Sequence, residues 1–155
     1  MKTKILIVED DPHILLGLEE VLKSDGFEVA VCNRGDEAVA AAAKFHPALI
    51  VLDVMLPGLS GYDICKQLRA KKVATPILML TAKELKLLQL FFAHPGEVLS
   101  RDRLLNDVWG YNYYGTTRTL DQVVVQLRKK LGDNGDAPKH LLTVHGVGYK
   151  LNLSP

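Results

Sequence analysis

Apolar and polar residues alternate along the first half of the chain in two repeating patterns. Short runs of β-branched and large aliphatic residues predict strands at residues 4–8, 27–31, 48–52 and 76–80. Between these runs, apolar residues recur at helical spacing and predict helices at residues 14–23, 36–45 and 62–70. Three of the strands are almost continuously apolar, which is typical of strands covered on both faces. The alternation predicts an α/β fold with right-handed βαβ units and a parallel sheet.

The pattern changes near residue 82. Helical spacing predicts helices at 84–92, at 101–109 behind a capping Ser100, and at 117–131, where Gly132 ends the helix. Two β-prone arms flank a glycine-containing turn between residues 141 and 151 and predict a hairpin. Three helices and a hairpin indicate a small winged helix-turn-helix domain. We therefore expect two domains, at residues 1–82 and 83–155.

Composition adds a charge asymmetry and excludes some classes. The net charge is +1, but residues 1–82 carry −2 and residues 83–155 carry +3, so the second half is the better candidate for a polyanionic partner. Cys32 and Cys65 lie outside any CxxC motif, and we expect buried thiols rather than a disulfide or metal site. No apolar run approaches the roughly 18 residues of a membrane span, so we expect a cytoplasmic protein without membrane contact.

Acidic residues directly follow two predicted strands. Glu9, Asp10 and Asp11 come after the first strand, and Asp53 comes after the third. In a doubly wound sheet these positions meet at the carboxyl ends of the strands, where Mg²⁺ would relieve the repulsion between carboxylates. One carboxylate could then act as a nucleophile and form an acyl phosphate. The alternative for each acid taken singly is that it caps a helix.

Three segments of the first half resemble the receiver domain of bacterial response regulators, in order and at that family's spacing. They are residues 4–11, 49–61 and 76–82. The resemblance implies a flavodoxin-like sheet with strand order 2-1-3-4 and phosphoryl transfer from a sensor histidine kinase. It also implies one role for each matching site residue: Asp53 as phosphoacceptor and metal ligand, Glu9, Asp10 and the Met55 carbonyl as further ligands of Mg²⁺, and Thr81 as the switch hydroxyl.

Several segments of the second half resemble the OmpR/PhoB winged helix. Among them are residues 95–101, 108–110, 118–121, 127–132 and 143–149. The resemblance implies that the third helix enters the major groove of double-stranded DNA and that the hairpin also contacts it. On a helical wheel, Leu120, Val123, Val124, Leu127 and Leu131 form one apolar stripe. The candidate DNA contacts lie opposite that stripe and in the wing: Arg118, Gln122, Val125, Gln126, Lys129 and His145.

Two interpretations of the second half stay open from the sequence. The polar face of the third helix is either a DNA-reading surface or an ordinary solvated face. The three tyrosines before that helix either contact DNA or polymerase, as in the family, or pack against Trp109; they are Tyr111, Tyr113 and Tyr114.

The chain departs from the family between its two halves. In the family, a fourth helix, a fifth strand opened by a Lys-Pro pair and a fifth helix follow the threonine, and a small antiparallel sheet precedes the winged helix. None of these follows Thr81 in this sequence. The missing part includes the lysine that contacts the phosphoryl group and the family's dimerisation face. Because residues 80–84 fit both templates, we hypothesise a deletion or splice at this point.

The shortened architecture bears on both assembly and function. With no fifth strand, residues 76–80 become an apolar edge strand, and we expect a homodimer or a domain-swapped oligomer.

The first functional interpretation is a DNA-binding response regulator of a two-component phosphorelay, which is not an enzyme. The alternative is an engineered or deleted chimera that acts only as a phosphate-accepting or interaction fragment. A phosphatase-type hydrolase ranks third, because the second acid beside the nucleophile is missing.

Overall fold

The computed structural model of the chain describes residues 1–133 and 136–154. The chain divides into two compact units, Met1–Ala82 and Lys83–Pro155. The boundary falls in the first turn of a helix, Ala82–Ala93, and only Thr81 separates this helix from the strand before it. Within the described residues, no helix is both long enough and apolar enough to cross a membrane.

The first unit is a parallel sheet with helical crossovers. Its elements, in chain order, are β1 (Lys4–Val8), α1 (Pro12–Ser24), β2 (Glu28–Cys32), α2 (Ala38–Phe45), β3 (Leu49–Asp53), α3 (Gly61–Ala70) and β4 (Ile77–Leu80). All strand pairs are parallel, and the strand order is β2-β1-β3-β4. This confirms the expected α/β fold and the 2-1-3-4 order.

Most predicted boundaries of the first unit differ from the structure by one or two residues, and two of them have a clear physical reason. β2 begins at Glu28 rather than Phe27, because the Phe27 N–H donates to the Leu22 carbonyl and so completes the end of α1. The helix predicted from residue 36 begins at Ala38, behind a 3₁₀ turn over Gly35–Glu37. In that turn the Arg34 guanidinium binds both carboxylate oxygens of Asp36, at 2.9 and 2.6 Å.

One face of the sheet packs on α2 and α3. The buried side chains of this layer are Leu6, Val8, Cys32, Ala38, Val39, Ala42, Ile50, Leu52, Leu56, Ile64 and Leu68. Their alternation along β1 and β3 follows the two-residue period of a strand. Both cysteines are free thiols, as expected, but only Cys32 is buried. Cys65 is half-buried, because it lies on α3 next to the core residue Ile64 and not in the core itself.

The second unit combines three helices with an antiparallel sheet. Its elements are α4 (Ala82–Ala93), β5 (Leu99–Ser100), α5 (Arg101–Trp109), α6 (Thr117–Leu131), β6 (Leu141–Val144) and β7 (Gly148–Leu151). The strand order is β5-β7-β6. This arrangement confirms the predicted winged helix, with one addition. The two-residue β5 is too short to give a sequence pattern, but it pairs with β7 through Leu99 and Tyr149.

Local capping and burial fix α5 and α6 in this unit. The Ser100 hydroxyl accepts a hydrogen bond from the Arg103 N–H and caps α5, as predicted. Gly132 ends α6 with a φ of +70°, a conformation that glycine adopts without a Cβ clash. α6 buries Leu120, Val124 and Leu127. Leu131, which the predicted apolar stripe includes, is 39% exposed because it is the last residue of the helix.

A polar network joins the wing to α5 and α6. The Tyr149 ring on β7 lies 5.0 Å from the Arg101 guanidinium and 5.6 Å from that of Arg128. Its hydroxyl donates to the carboxylate of Asp121 on α6, and the same oxygen accepts from Arg101 at 3.3 Å. Burial and the Asp121 carboxylate raise the pKa of Tyr149 to about 12. The network therefore holds the hairpin in a fixed position relative to α6.

Candidate functional site

Three carboxylates converge at the carboxyl ends of β1 and β3. One carboxylate oxygen each from Glu9, Asp10 and Asp53 lies within 4.8 Å of the other two. β1 pairs directly with β3 in parallel register, which brings the residues after Val8 beside Asp53. Asp11 is not part of this group, because its side chain accepts from the N–H groups of His13 and Ile14 and caps α1.

Burial makes this carboxylate group electrostatically unfavourable without a cation. Glu9 and Asp53 are buried, whereas Asp10 is exposed. Burial raises the pKa of Glu9 to about 7, against the opposing hydrogen bond from the Asp11 N–H, and the nearby Asp53 charge raises it further. Burial also raises the pKa of Asp53, and the charge of Asp10 adds to that effect. Each shift records a free-energy cost of holding negative charge in this crevice.

The chemistry of the donor set fits a hard divalent cation. Mg²⁺ prefers oxygen ligands and is commonly bound by one or two carboxylates together with water. Glu9 Oε2 is buried and has no hydrogen-bond partner among the described residues, although such atoms are normally satisfied. A cation at this position would supply the missing interaction and would offset the repulsion between the carboxylates.

Two features hold the loop after β3 close to the crevice. The Met55 N–H donates to Asp53 Oδ1 at 3.2 Å, while the Met55 side chain is exposed. Gly61 packs against the main chain of β3, and a Cβ at this position would lie 2.3 Å from the Asp53 carbonyl oxygen. This short distance explains why residue 61 is a glycine, which turn propensity alone does not explain.

Thr81, the predicted switch residue, lies at the same end of the sheet. β3 and β4 pair with Asp53 opposite Leu80, so Thr81 is the next residue beyond the partner of Asp53. Its side chain is half-buried. The structure therefore brings Glu9, Asp10 and Asp53 together as a group and puts Thr81 at the adjacent strand end.

The exposed face of α6 carries all five residues predicted for it. Arg118, Gln122, Val125, Gln126 and Lys129 are solvent-exposed, and the first four line one shallow depression together with Asp121. In the wing, His145 is exposed in the turn between β6 and β7.

The three tyrosines before α6 fall into two groups. Tyr113 lies 6.1 Å from the Trp109 ring between centroids, and its hydroxyl donates to Thr119 Oγ1 at 2.8 Å. Tyr111 and Tyr114 are 83% and 96% exposed. Packing against Trp109 therefore accounts for Tyr113, whereas the other two tyrosines leave their rings in solvent.

Two protein-family models match the chain. The response regulator receiver domain matches residues 5–94, and the family described as "Transcriptional regulatory protein, C terminal" matches residues 75–151. The first match covers more than half of the chain. The two matches share residues 75–94, which contain β4 and α4.

Curated relatives cover both halves together. The chain is 30% identical to "Alkaline phosphatase synthesis transcriptional regulatory protein PhoP" of Bacillus subtilis, over 97% of each chain. This chain belongs to the OmpR/PhoB-type response regulators. It is also 30% identical to "DNA-binding response regulator MtrA" of Mycolicibacterium smegmatis, again over 97% of each chain. It is thus a two-component regulator that joins a receiver to a DNA-binding winged helix.

The comparisons also show what this response regulator lacks. The alignment with PhoP runs over 233 positions, whereas this chain has 155 residues, so the relative contains residues inside the aligned span that have no counterpart here. The structure of "Chemotaxis response regulator CheY4 of Vibrio cholerae" matches with a TM-score of 0.51 and 34% identity, over 53% of this chain and 70% of that one. The receiver fold is therefore recognisable in a shortened form.

Proposed function

We propose that the first unit is a receiver that accepts a phosphoryl group on Asp53 from a sensor histidine kinase. In this proposal residues 1–82 form a receiver without its last helix-strand-helix part, and residues 83–155 form a winged helix without its N-terminal sheet. The observation that carries the proposal is the convergence of Glu9, Asp10 and Asp53 within 4.8 Å. Because both halves align with single curated regulators, a regulator is favoured over a fragment that only accepts phosphate.

Each residue of the crevice has a distinct role in the proposal. The Asp53 carboxylate attacks phosphorus, forms the acyl phosphate bond, and displaces the donor group. Glu9, Asp10, Asp53 and the Met55 carbonyl would hold Mg²⁺, which when bound neutralises charge on the transferring group. The Thr81 hydroxyl would turn toward the phosphoryl group as a hydrogen-bond donor.

Phosphorylation can be tested by intact mass after incubation with a small phosphodonor. We expect one adduct of about 80 mass units that requires Mg²⁺ and disappears in Asp53→Ala, with a short lifetime because the family's phosphate-contacting lysine is missing. Asp63→Ala is a matched control, because Asp63 is an exposed aspartate that caps α3 with Ser60 and does not belong to the group formed by Glu9, Asp10 and Asp53. An adduct that persists in Asp53→Ala would contradict the assignment of the phosphoacceptor.

We further propose that the second unit binds double-stranded DNA through α6 and the wing. Arg118 and Lys129 would contact phosphates, Gln122, Val125 and Gln126 would face the bases, and His145 would contact DNA from the wing. Affinity should reside in residues 83–155 and should fall steeply with salt, because bound cations displace counterions from DNA. The double variant Arg118→Ala with Lys129→Ala should weaken binding and lower the salt dependence. Unchanged affinity would exclude α6 as the reading helix.

A further inference from the structure

The cations of α6 are distributed unevenly between internal contacts and solvent. The helix contains Arg118, Arg128, Lys129 and Lys130. Arg128 donates from Nε and Nη2 to the Leu141 carbonyl at 2.9 and 2.6 Å, and from Nη2 to Thr143 Oγ1 at 2.9 Å. Lys130 donates to the buried Glu84 at 2.6 Å. Internal contacts therefore occupy two of the four cations.

The two remaining cations lie near opposite ends of the helix. Arg118 is the second residue of α6, and Lys129 lies in its last turn. They are eleven positions apart, which is about 16 Å along the axis at 1.5 Å per residue. The exposed surface between them presents only uncharged candidate contacts, Gln122, Val125 and Gln126. Asp121 borders the same depression, but its carboxylate is engaged by Tyr149 and Arg101.

This distribution has a consequence for base recognition. Guanine is read most often by a bidentate arginine or lysine, and the middle of α6 offers neither residue to solvent. Glutamine pairs with the N6 and N7 atoms of adenine, and an aliphatic side chain packs on the thymine methyl group. Val125 is 45% exposed and is available for such a contact.

We propose that the chain recognises a half-site whose central base pairs are A·T, read by Gln122, Val125 and Gln126. The proposal rests on the proposed role of α6 in DNA binding and specifies its substrate. Gln122 and Gln126 are four residues apart, or about 6 Å along the helix. Recognition helices enter the major groove at an angle, and side chains three residues apart can contact successive bases, so the two glutamines address positions about one to two base pairs apart, with Val125 beside the second.

The test is a selection of the full-length protein on a randomised duplex library at low salt, followed by titrations of the selected site and its single base-pair replacements. We expect adenine at two positions about one to two base pairs apart, with thymine methyl groups between or beside them. A G·C replacement at either position should weaken binding about fivefold or more. A selected core of G·C pairs would overturn the proposal and would leave DNA binding by α6 intact.

Three variants separate base reading from general affinity. Gln122→Ala should relax selection at one position, whereas Lys129→Ala should weaken binding to all sequences by a similar factor. Gln126→Arg should convert one adenine preference into guanine, because arginine pairs with guanine O6 and N7. If Gln122→Ala and Gln126→Arg both select the same sequence as the parent chain, the base-reading assignment is wrong. If the parent chain selects no DNA at all, the proposed DNA-binding function fails with it.

Discussion

Gly61 shows how a single residue controls the position of Asp53, the proposed phosphoacceptor. The absence of a Cβ leaves room for the Asp53 carbonyl oxygen. A Cβ at this position would also lie close to other main-chain atoms of Asp53 and Val54, which cannot rotate away as a side chain could. We expect Gly61→Ala to destabilise the first unit by about 1–3 kcal/mol, as overpacked sites do, and to slow phosphorylation at Asp53. Thermal melting and intact mass would measure the two effects.

Gly26→Ala separates this collision from ordinary backbone strain. Gly26 has a φ of +90° but no atom within 4 Å of a Cβ. Its replacement should lower stability without changing the rate at which Asp53 is modified. Equal loss of phosphorylation in both variants would mean that reduced stability, and not the displacement of Asp53, explains the Gly61 result.

Asp133 gives the second unit a pH-dependent contribution to stability. Burial opposes its ionisation, but the backbone N–H groups of Leu141, Lys139 and His140 donate to its carboxylate and hold its pKa below the usual value. Because the pKa of Asp133 is lower in the folded than in the unfolded state, the ionised carboxylate stabilises the fold at pH values above the unfolded pKa of about 3.9. This contribution is lost as the pH falls through the folded-state pKa.

Asp133→Asn should therefore destabilise the second unit by about 1–3 kcal/mol at neutral pH, since an amide would turn a donor toward backbone N–H groups. Denaturant unfolding followed by the fluorescence of Trp109, the only tryptophan, would measure the loss. The difference from the parent chain should shrink below about pH 4. Asp136→Asn, at an exposed position, is the control. A difference that does not vary with pH would contradict the assigned hydrogen bonds.

At the scale of elements, β4 is the last strand in the order of its sheet. Among the described residues it pairs with β3 alone, and the Pro76 and Leu80 carbonyls accept from Ile50 and Val54 N–H groups. By the two-residue period of a strand, the main-chain groups of Ile77 and Met79 point away from β3. No residue of 76–82 carries a charge that would repel a second copy.

We expect dimers or domain-swapped oligomers through this edge. Light scattering should show an average mass that rises with concentration, and Met79→Pro should lower it by removing one outward N–H donor. Circular dichroism would establish that the variant keeps its secondary structure. A strictly monomeric parent chain at high concentration would refute the expectation.

The sequence predicted elements better than it predicted contacts. Long patterns, such as the 15 residues of α6, gave the correct bounds, because periodicity and the Gly132 stop agree. β5 was not predicted, because a two-residue strand is too short to show a hydrophobic period and forms only by pairing with β7. The acidic group was predictable because strand ends in a parallel sheet converge. The hydrogen bonds that Arg128 and Lys130 make within the second unit could not be predicted, because helix periodicity does not show which cations bind residues of other elements.

For the whole molecule, we expect weak coupling between phosphorylation and DNA binding. A ligand shifts an equilibrium only by its differential affinity for two states, and both sites must bias the same states. Thr81 is present, but the resemblance implies that the segment carrying the family's lysine and dimerisation face has no counterpart after it. Affinity for one DNA site at constant salt should change less than about fivefold on phosphorylation. A tenfold gain would mean that another surface has replaced the lost face.

The short connection between β4 and α4 also affects how susceptible the chain is to proteolysis at this point. Proteases favour exposed loops, and here a strand and a helix meet with only Thr81 between them. Trypsin could act at Lys83 or Lys86 only after the first turns of α4 open. Digestion into two halves would therefore follow the opening of folded structure, in contrast to the rapid nicking expected of a protein whose units are joined by a loose connecting segment.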